Sequence, residues 1–308
     1  MKKLLTTLAL AGAIVTGAQA QPYISEIFFN PPGTDSPNEY IELRGSANGT
    51  IAAGTWLLFL EGDNSGTSAG ARPGDIQGLF DLGGLSFGSN GYLVMRQFNS
   101  PYTANASANV VTATSSGWSG LGLNSASAGG DIENPSFTAM IIGIGAGAAP
   151  SWGQQLDSNN DGNLELPSGW SIFDSIGVGD SGSSDRLYGA VNFSGAPSGT
   201  VTSNGGVLQY LGWSEIEYLA RVSDSTGATL ADWAVADVGF TSPATVVDAT
   251  VNGLDSNNIQ ESWNIAAGTR ITDSLGTVNP VPEPSTYALL ALAGVGLAAY
   301  RLRRRARR

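Results

Sequence analysis

Between residues 21 and 279 the apolar positions come in short runs of four to nine, broken by clusters of Gly, Ser, Asn and Asp. That spacing predicts strands over residues 23–29, 40–44, 56–61, 92–97, 110–112 and 138–144. Further strands are expected over 171–178, 207–211, 217–222, 232–236 and 245–248. Some runs are apolar throughout, such as Thr55-Trp56-Leu57-Leu58-Phe59-Leu60, which suits a strand covered on both faces. No stretch in this span sustains a 3.6-residue period, although residues 215–220 have room for one helical turn. The fold class expected is all-β, a sandwich or barrel. The connections 62–75, 102–109, 115–130 and 179–185 are long and rich in small polar residues, the kind that are functional or irregular.

The two ends read as address labels. Lys2 and Lys3 precede an apolar run over 4–15 and then Ala18-Gln19-Ala20, a signal peptide over 1–20 whose peptidase would recognise Ala18 and Ala20. At the other end stand Pro282, Glu283 and Pro284, an uncharged run over 285–300, and then Arg301, Arg303, Arg304, Arg305, Arg307 and Arg308. As a helix the run would reach only about 24 Å, short of a bilayer core of about 30 Å. Tyr287 and Tyr300 at its ends and snorkelling arginine stems suit a transmembrane helix, with the basic end in the cytoplasm. Residues 280–308 resemble the PEP-CTERM sorting signal of Gram-negative bacteria. The resemblance implies transient inner-membrane anchoring, cleavage near Pro282-Glu283-Pro284 by an exosortase, and delivery of the body to the cell surface or beyond.

Without these ends the charge balance changes. The whole chain carries −12, but residues 21–279 hold 25 acidic side chains against Arg44, Arg72, Arg96, Arg186, Arg221 and Arg270, a net charge near −19. Such a surface repels nucleic acid and attracts cations. The chain has neither Cys nor His, so disulfides, the usual general base and the usual transition-metal ligands are absent.

The start of the exported part carries a second likeness. Ile24-Ser25-Glu26-Ile27-Phe28-Phe29-Asn30-Pro31-Pro32-Gly33, followed by Asn38-Glu39-Tyr40-Ile41-Glu42-Leu43, resembles the opening of a bacterial lamin-tail domain (LTD). That resemblance implies an immunoglobulin-like β-sandwich over 21–150. Residues 151–279 would then be an elaboration or a second β module. Pro31-Pro32 fits the end of a strand, because two missing amides cannot continue a ladder.

The sharpest chemical motif is Asp157-x-Asn159-x-Asp161-Gly162-Asn163-Leu164-Glu165. Alternating oxygen ligands around a turn glycine match the first nine positions of a calcium loop, although the twelfth is Ser168. Asp157, Asn159, Asp161 and Glu165 would offer side-chain oxygens and Asn163 its carbonyl, with Asp174 a candidate to complete the shell. The alternative is a turn that satisfies its own backbone. Gly84-Leu85-Ser86-Phe87-Gly88 and Gly179-Asp180-Ser181-Gly182 spell hydrolase strings, but the base they need is missing. Glu26, Glu39 and Glu42 lie on adjacent expected strands and would form a carboxylate pair for hydrolysis, or a structural set. Among the seven tryptophans, Trp118 and Trp152 sit in Gly-rich loops and are the expected exposed pair.

The reading that follows is a non-enzymatic, exported structural or adhesive protein, processed by signal peptidase and exosortase, with extracellular polysaccharide of a biofilm matrix as its partner. The alternatives are a secreted metal-assisted hydrolase and a calcium-dependent glycan-binding module.

Overall fold

The computed structural model describes residues 19–280, apart from 65, 122–130, 181–183, 196–200, 204, 214 and 241–247. In chain order the strands begin with β1 (Gln19–Ala20), β2 (Tyr23–Phe28), β3 (Tyr40–Arg44), β4 (Thr50–Ile51) and β5 (Thr55–Glu61). Next come β6 (Ile76–Asp81), β7 (Tyr92–Arg96), β8 (Asn109–Thr112), β9 (Phe137–Gly143) and β10 (Ser171–Gly179). Three short strands follow, β11 (Asp185–Leu187), β12 (Val191–Ser194) and β13 (Val201–Ser203), and then β14 (Val207–Tyr210) and β15 (Tyr218–Arg221). The last are β16 (Trp233–Ala236), β17 (Val238–Phe240), β18 (Ala249–Val251) and β19 (Ser262–Trp263). The fold is all-β, as the spacing of apolar runs required.

Two sheets carry the body. One runs β19-β16-β15-β2-β3-β7-β8 and the other β14-β12-β10-β9-β5-β6. Strand alternation sends Ile27, Ile41, Leu43, Leu93, Leu219 and Val235 of the first sheet to the same core as Leu57, Phe59, Phe137, Ile141, Ile176 and Phe193 of the second. A bulge in β2 between Ile24 and Glu26 resets the alternation, so Ile24 and Ile27 both point inward although three positions apart.

Each sheet is also covered on its outer face. Phe28, Tyr40, Val94 and Tyr218 lie under Tyr102, Val251, Ile265, Ile271 and Leu275. Leu58, Leu60, Met140 and Ile142 lie under Leu156, Trp170 and Tyr188. Burial on both sides is why β5 and β9 read as continuous apolar runs.

The two halves of the body do not form separate sheets. β15 pairs antiparallel with β2, and β10 pairs antiparallel with β9. After β10 the pattern becomes β-solenoid-like. β10, β12 and β14 pair in parallel with Ile176 opposite Val191 and Val191 opposite Val207, while β11 pairs in parallel with β13. Asn192 fills the turn of this coil, accepting from Gly189 N at 3.0 Å and donating to Gly189 O and Ser203 Oγ at 2.8 Å. Position 177 must be glycine, because a Cβ there would come within 2.1 Å of Asn192 Oδ1.

The strand expected over 217–222 is present as β15, held between β2 and β16, so the alternative of a helical turn over 215–220 is not taken up. Some expectations fail locally. β6, β11, β12 and β13 were not foreseen: Gly78 interrupts the apolar run of the first, and the others are only three or four residues long. Of the strand expected over 245–248, residues 245–247 lie outside the described residues; the neighbouring strand is β18. No helix among the described residues is long and apolar enough to cross a membrane. The helix expected over 285–300 lies outside them.

Candidate functional site

Acidic side chains come together from residues 61–63, 133, 180 and 185, and the 157–165 loop is tied to them through Arg186 and Tyr188. β11 organises this cluster. Asp185 accepts from Ser136 Oγ at 2.8 Å, Arg186 donates from Nε to Asn160 Oδ1 at 2.6 Å, and Tyr188 just beyond donates to Asp157 Oδ2 at 2.8 Å. Two sets of three carboxylates come together, Glu61 with Asp63 and Glu133, and Asp63 with Asp180 and Asp185, each set with ligand oxygens within 4.8 Å of one another. Among the described residues no Lys or Arg forms an ion pair with Glu61, Asp63, Glu133 or Asp185. Burial raises their pKa values, followed for Glu61 by the nearby Glu133 charge: Glu61 to about 8, Glu133 to about 7 and Asp185 to about 6. Hard oxygen donors packed this closely suit calcium.

In the 157–165 loop the expected ligand oxygens accept hydrogen bonds from neighbouring groups. Asp157 is buried and accepts from Asp161 N, Gly162 N and Tyr188 OH. Asn159 Oδ1 accepts from Asp161 N, Asp161 Oδ1 from Asn163 N and Nδ2, and Glu165 from Ser158 N and Oγ. The loop oxygens thus satisfy nearby backbone amides, and neither acidic triplet includes Asp157, Asp161 or Glu165. Leu156, Leu164 and Leu166 anchor the loop to the outer face of the second sheet. Asp174 does not complete this loop. It is paired with Arg221 at 2.6 Å and accepts from Ile24 N at 2.9 Å, on the other side of its sheet.

The three glutamates of the opening motif are fully buried. Glu26 and Glu42 stand directly opposite each other on β2 and β3, so the expected carboxylate pair exists. It faces no solvent. Tyr40 donates to Glu26 Oε1, Ser25 Oγ donates to Glu42 Oε1 at 2.6 Å, and Gly276 N donates to Glu42 Oε2. Desolvation raises the pKa of Glu26 well above its usual value, with the Glu42 charge adding to it, and raises Glu42 to about 8. Glu39 is a separate hub. Its Oε2 accepts from Gln97 Nε2 at 2.8 Å, Trp118 Nε1 at 2.6 Å and Ile132 N at 2.9 Å.

The expectation of an exposed tryptophan pair is corrected. Trp118 is 0% exposed, stacked edge-on against Phe80 and hydrogen-bonded to Glu39. Trp152 is half-buried against the second sheet. A Gly-rich loop looked open in sequence, but the carboxylate it was meant to cover lies 79 residues away.

At the ends, Ala20 is buried and pairs in β1 with Ile51, while Ala18 lies outside the described residues. Pro282, Glu283, Pro284 and the six terminal arginines also lie outside them. Their sequence is decisive: residues 280–308 match the family model described as the PEP-CTERM protein-sorting motif. The chain carries a PEP-CTERM sorting motif. The motif implies an exported surface protein that an exosortase processes, anchored and then released. No curated protein and no solved structure matches the chain.

Proposed function

We propose that this chain is a non-enzymatic structural or adhesive protein of the cell surface or the extracellular polysaccharide matrix of a Gram-negative bacterium. Signal peptidase would remove residues 1–20 and an exosortase would cut near Pro282-Glu283-Pro284, after the 285–300 helix had held the body at the inner membrane. The observation that carries this reading is the PEP-CTERM motif over residues 280–308. The burial of Glu26, Glu39 and Glu42 favours it over the hydrolase alternative, since a substrate cannot reach a pair sealed inside the fold. The lamin-tail likeness of residues 21–150 belongs to the same proposal. It is supported by the antiparallel pairing of β2 with β3 around the Pro31-Pro32-Gly33 break.

Intact-mass analysis of protein recovered from the matrix tests the reading. The expected mass lacks both ends, and changing Pro282, Glu283 and Pro284 to Ala should leave the tail attached and the protein in the membrane fraction. A full-length chain in the soluble cytosol would sink the proposal.

Calcium is a second component of the proposal, favoured by the two carboxylate triplets beside the 157–165 loop. There it would bridge loops that otherwise repel one another, adding stability to an exported domain without disulfides. The same ion is what the glycan-binding alternative would require.

A further inference from the structure

The segment immediately before the sorting motif is fastened to the beginning of the exported body. Leu275 is buried in the outer core, and its carbonyl accepts from Asn105 N at 2.9 Å. Gly276 N donates to Glu42 Oε2, and Gly276 O accepts from Asn90 Nδ2 at 2.7 Å. Asn279 is 2% exposed and donates from Nδ2 to Ser25 O at 3.0 Å and Ser25 Oγ at 3.2 Å, while Ser25 itself donates to Glu42. Gly276 adopts φ +80°, and a Cβ there would come within 2.9 Å of Ala108 Cβ and Asn105 N, so this approach needs glycine.

Pro282 is only three residues beyond Asn279. At about 3.3–3.6 Å per residue, Glu283 can lie no more than about 14 Å from the buried Asn279 backbone. A protease that takes its substrate extended has to surround several residues on each side of the bond, and so short a tether leaves it little room beside the folded body. With residues 276–279 detached and Leu275 as the last anchor, the reach doubles to about 28 Å.

We propose that residues 276–279 form a latch on Ser25 and Glu42 that withholds the sorting motif from the processing enzyme while closed, and that cleavage requires its release. The idea rests on the reading above that an exosortase cuts at this motif. It makes the spacing between body and motif a rate-setting element of sorting.

Pulse-chase measurement of tail removal, on the full chain in the producing bacterium, tests it with four proteins: wild type, Asn279→Ala, a chain with about ten Gly and Ser residues inserted between Asn279 and Pro280, and the two changes combined. The substitution and the spacer should each accelerate cleavage several-fold, and Asn279→Ala should add nothing in the spacer background. Amide exchange at Gly276 in the purified, tail-bearing protein should quicken in Asn279→Ala and stay unchanged with the spacer, which leaves the latch intact. Equal, non-zero cleavage rates in all four proteins would overturn the latch alone. Retention of the tail by every protein, wild type included, would overturn the sorting reading and the latch with it.

Discussion

Trp118 Nε1 donates to Glu39 Oε2 at 2.6 Å, and neither side chain is exposed. The same oxygen accepts from Ile132 N and Gln97 Nε2, so one carboxylate at the start of the first sheet pins both flanks of the long 113–136 connection. Trp118→Phe keeps the ring against Phe80 but removes the donor, and should cost about 1–3 kcal/mol. Glu39→Ala strands Trp118 Nε1 and Ile132 N, while Gln97 Nε2 keeps Asp131, and should cost about 3–5 kcal/mol. Urea unfolding of the two variants checks the order; a larger loss in Trp118→Phe would contradict the hub.

Stability should fall as the solution becomes more alkaline. Burial lifts Glu42 from 4.5 to about 8 and Glu217 from 4.5 to about 9, the nearby Asp237 charge adding to the latter. Between those limits these two groups bind more protons in the folded chain than in the unfolded chain, so their contribution to stability is full below about pH 4.5 and is lost as pH rises through the raised values. Melting temperature should therefore be lower at pH 9 than at pH 5, and Glu42→Gln should flatten part of the slope. A rise over that range would count against it.

Arg221 joins the two sheets. It pairs with Asp174 at 2.6 Å, donates to Ile24 O at 3.0 Å and lies 4.1 Å from the Trp233 ring centroid. Asp174 follows the bulge of β10 and accepts from Ile24 beside the bulge of β2, so a single ion pair serves both irregularities. Arg221→Met leaves a buried carboxylate without its cation and should destabilise by about 3–5 kcal/mol in chemical denaturation, whereas Arg270→Met, at a half-exposed surface pair with Asp248, should cost about 1 kcal/mol or less.

Millimolar calcium should raise the melting temperature. The rise should be larger at pH 8 than at pH 6, because Glu61 and Glu133 must lose protons to bind the ion. Asp63→Asn with Asp185→Asn should abolish the shift if the triplets hold the ion, and Asp157→Ala with Asp161→Ala if the loop does. An unchanged melting curve at both pH values would end the calcium reading.

Sequence alone determined the C-terminal sorting motif and the β class of this chain, because both are local. Two prolines around one residue, an apolar run and a basic end carry their meaning in consecutive positions, and apolar runs such as 55–60 reveal burial on both faces before any partner is known. Tertiary structure decided what the polar residues do. Glu39 met Trp118 across 79 residues, Asp174 met Arg221 across 47, and Asn279 met Ser25 across 254. The loop at Asp157 reads in sequence as either a ligand cage or a self-satisfied turn, because the two use the same oxygens. Only the fold showed those oxygens on backbone amides while Glu61, Asp63, Glu133, Asp180 and Asp185 converged from distant connections. Side-chain chemistry of this kind depends on which strands become neighbours, and strand order is set by the packing of the whole core.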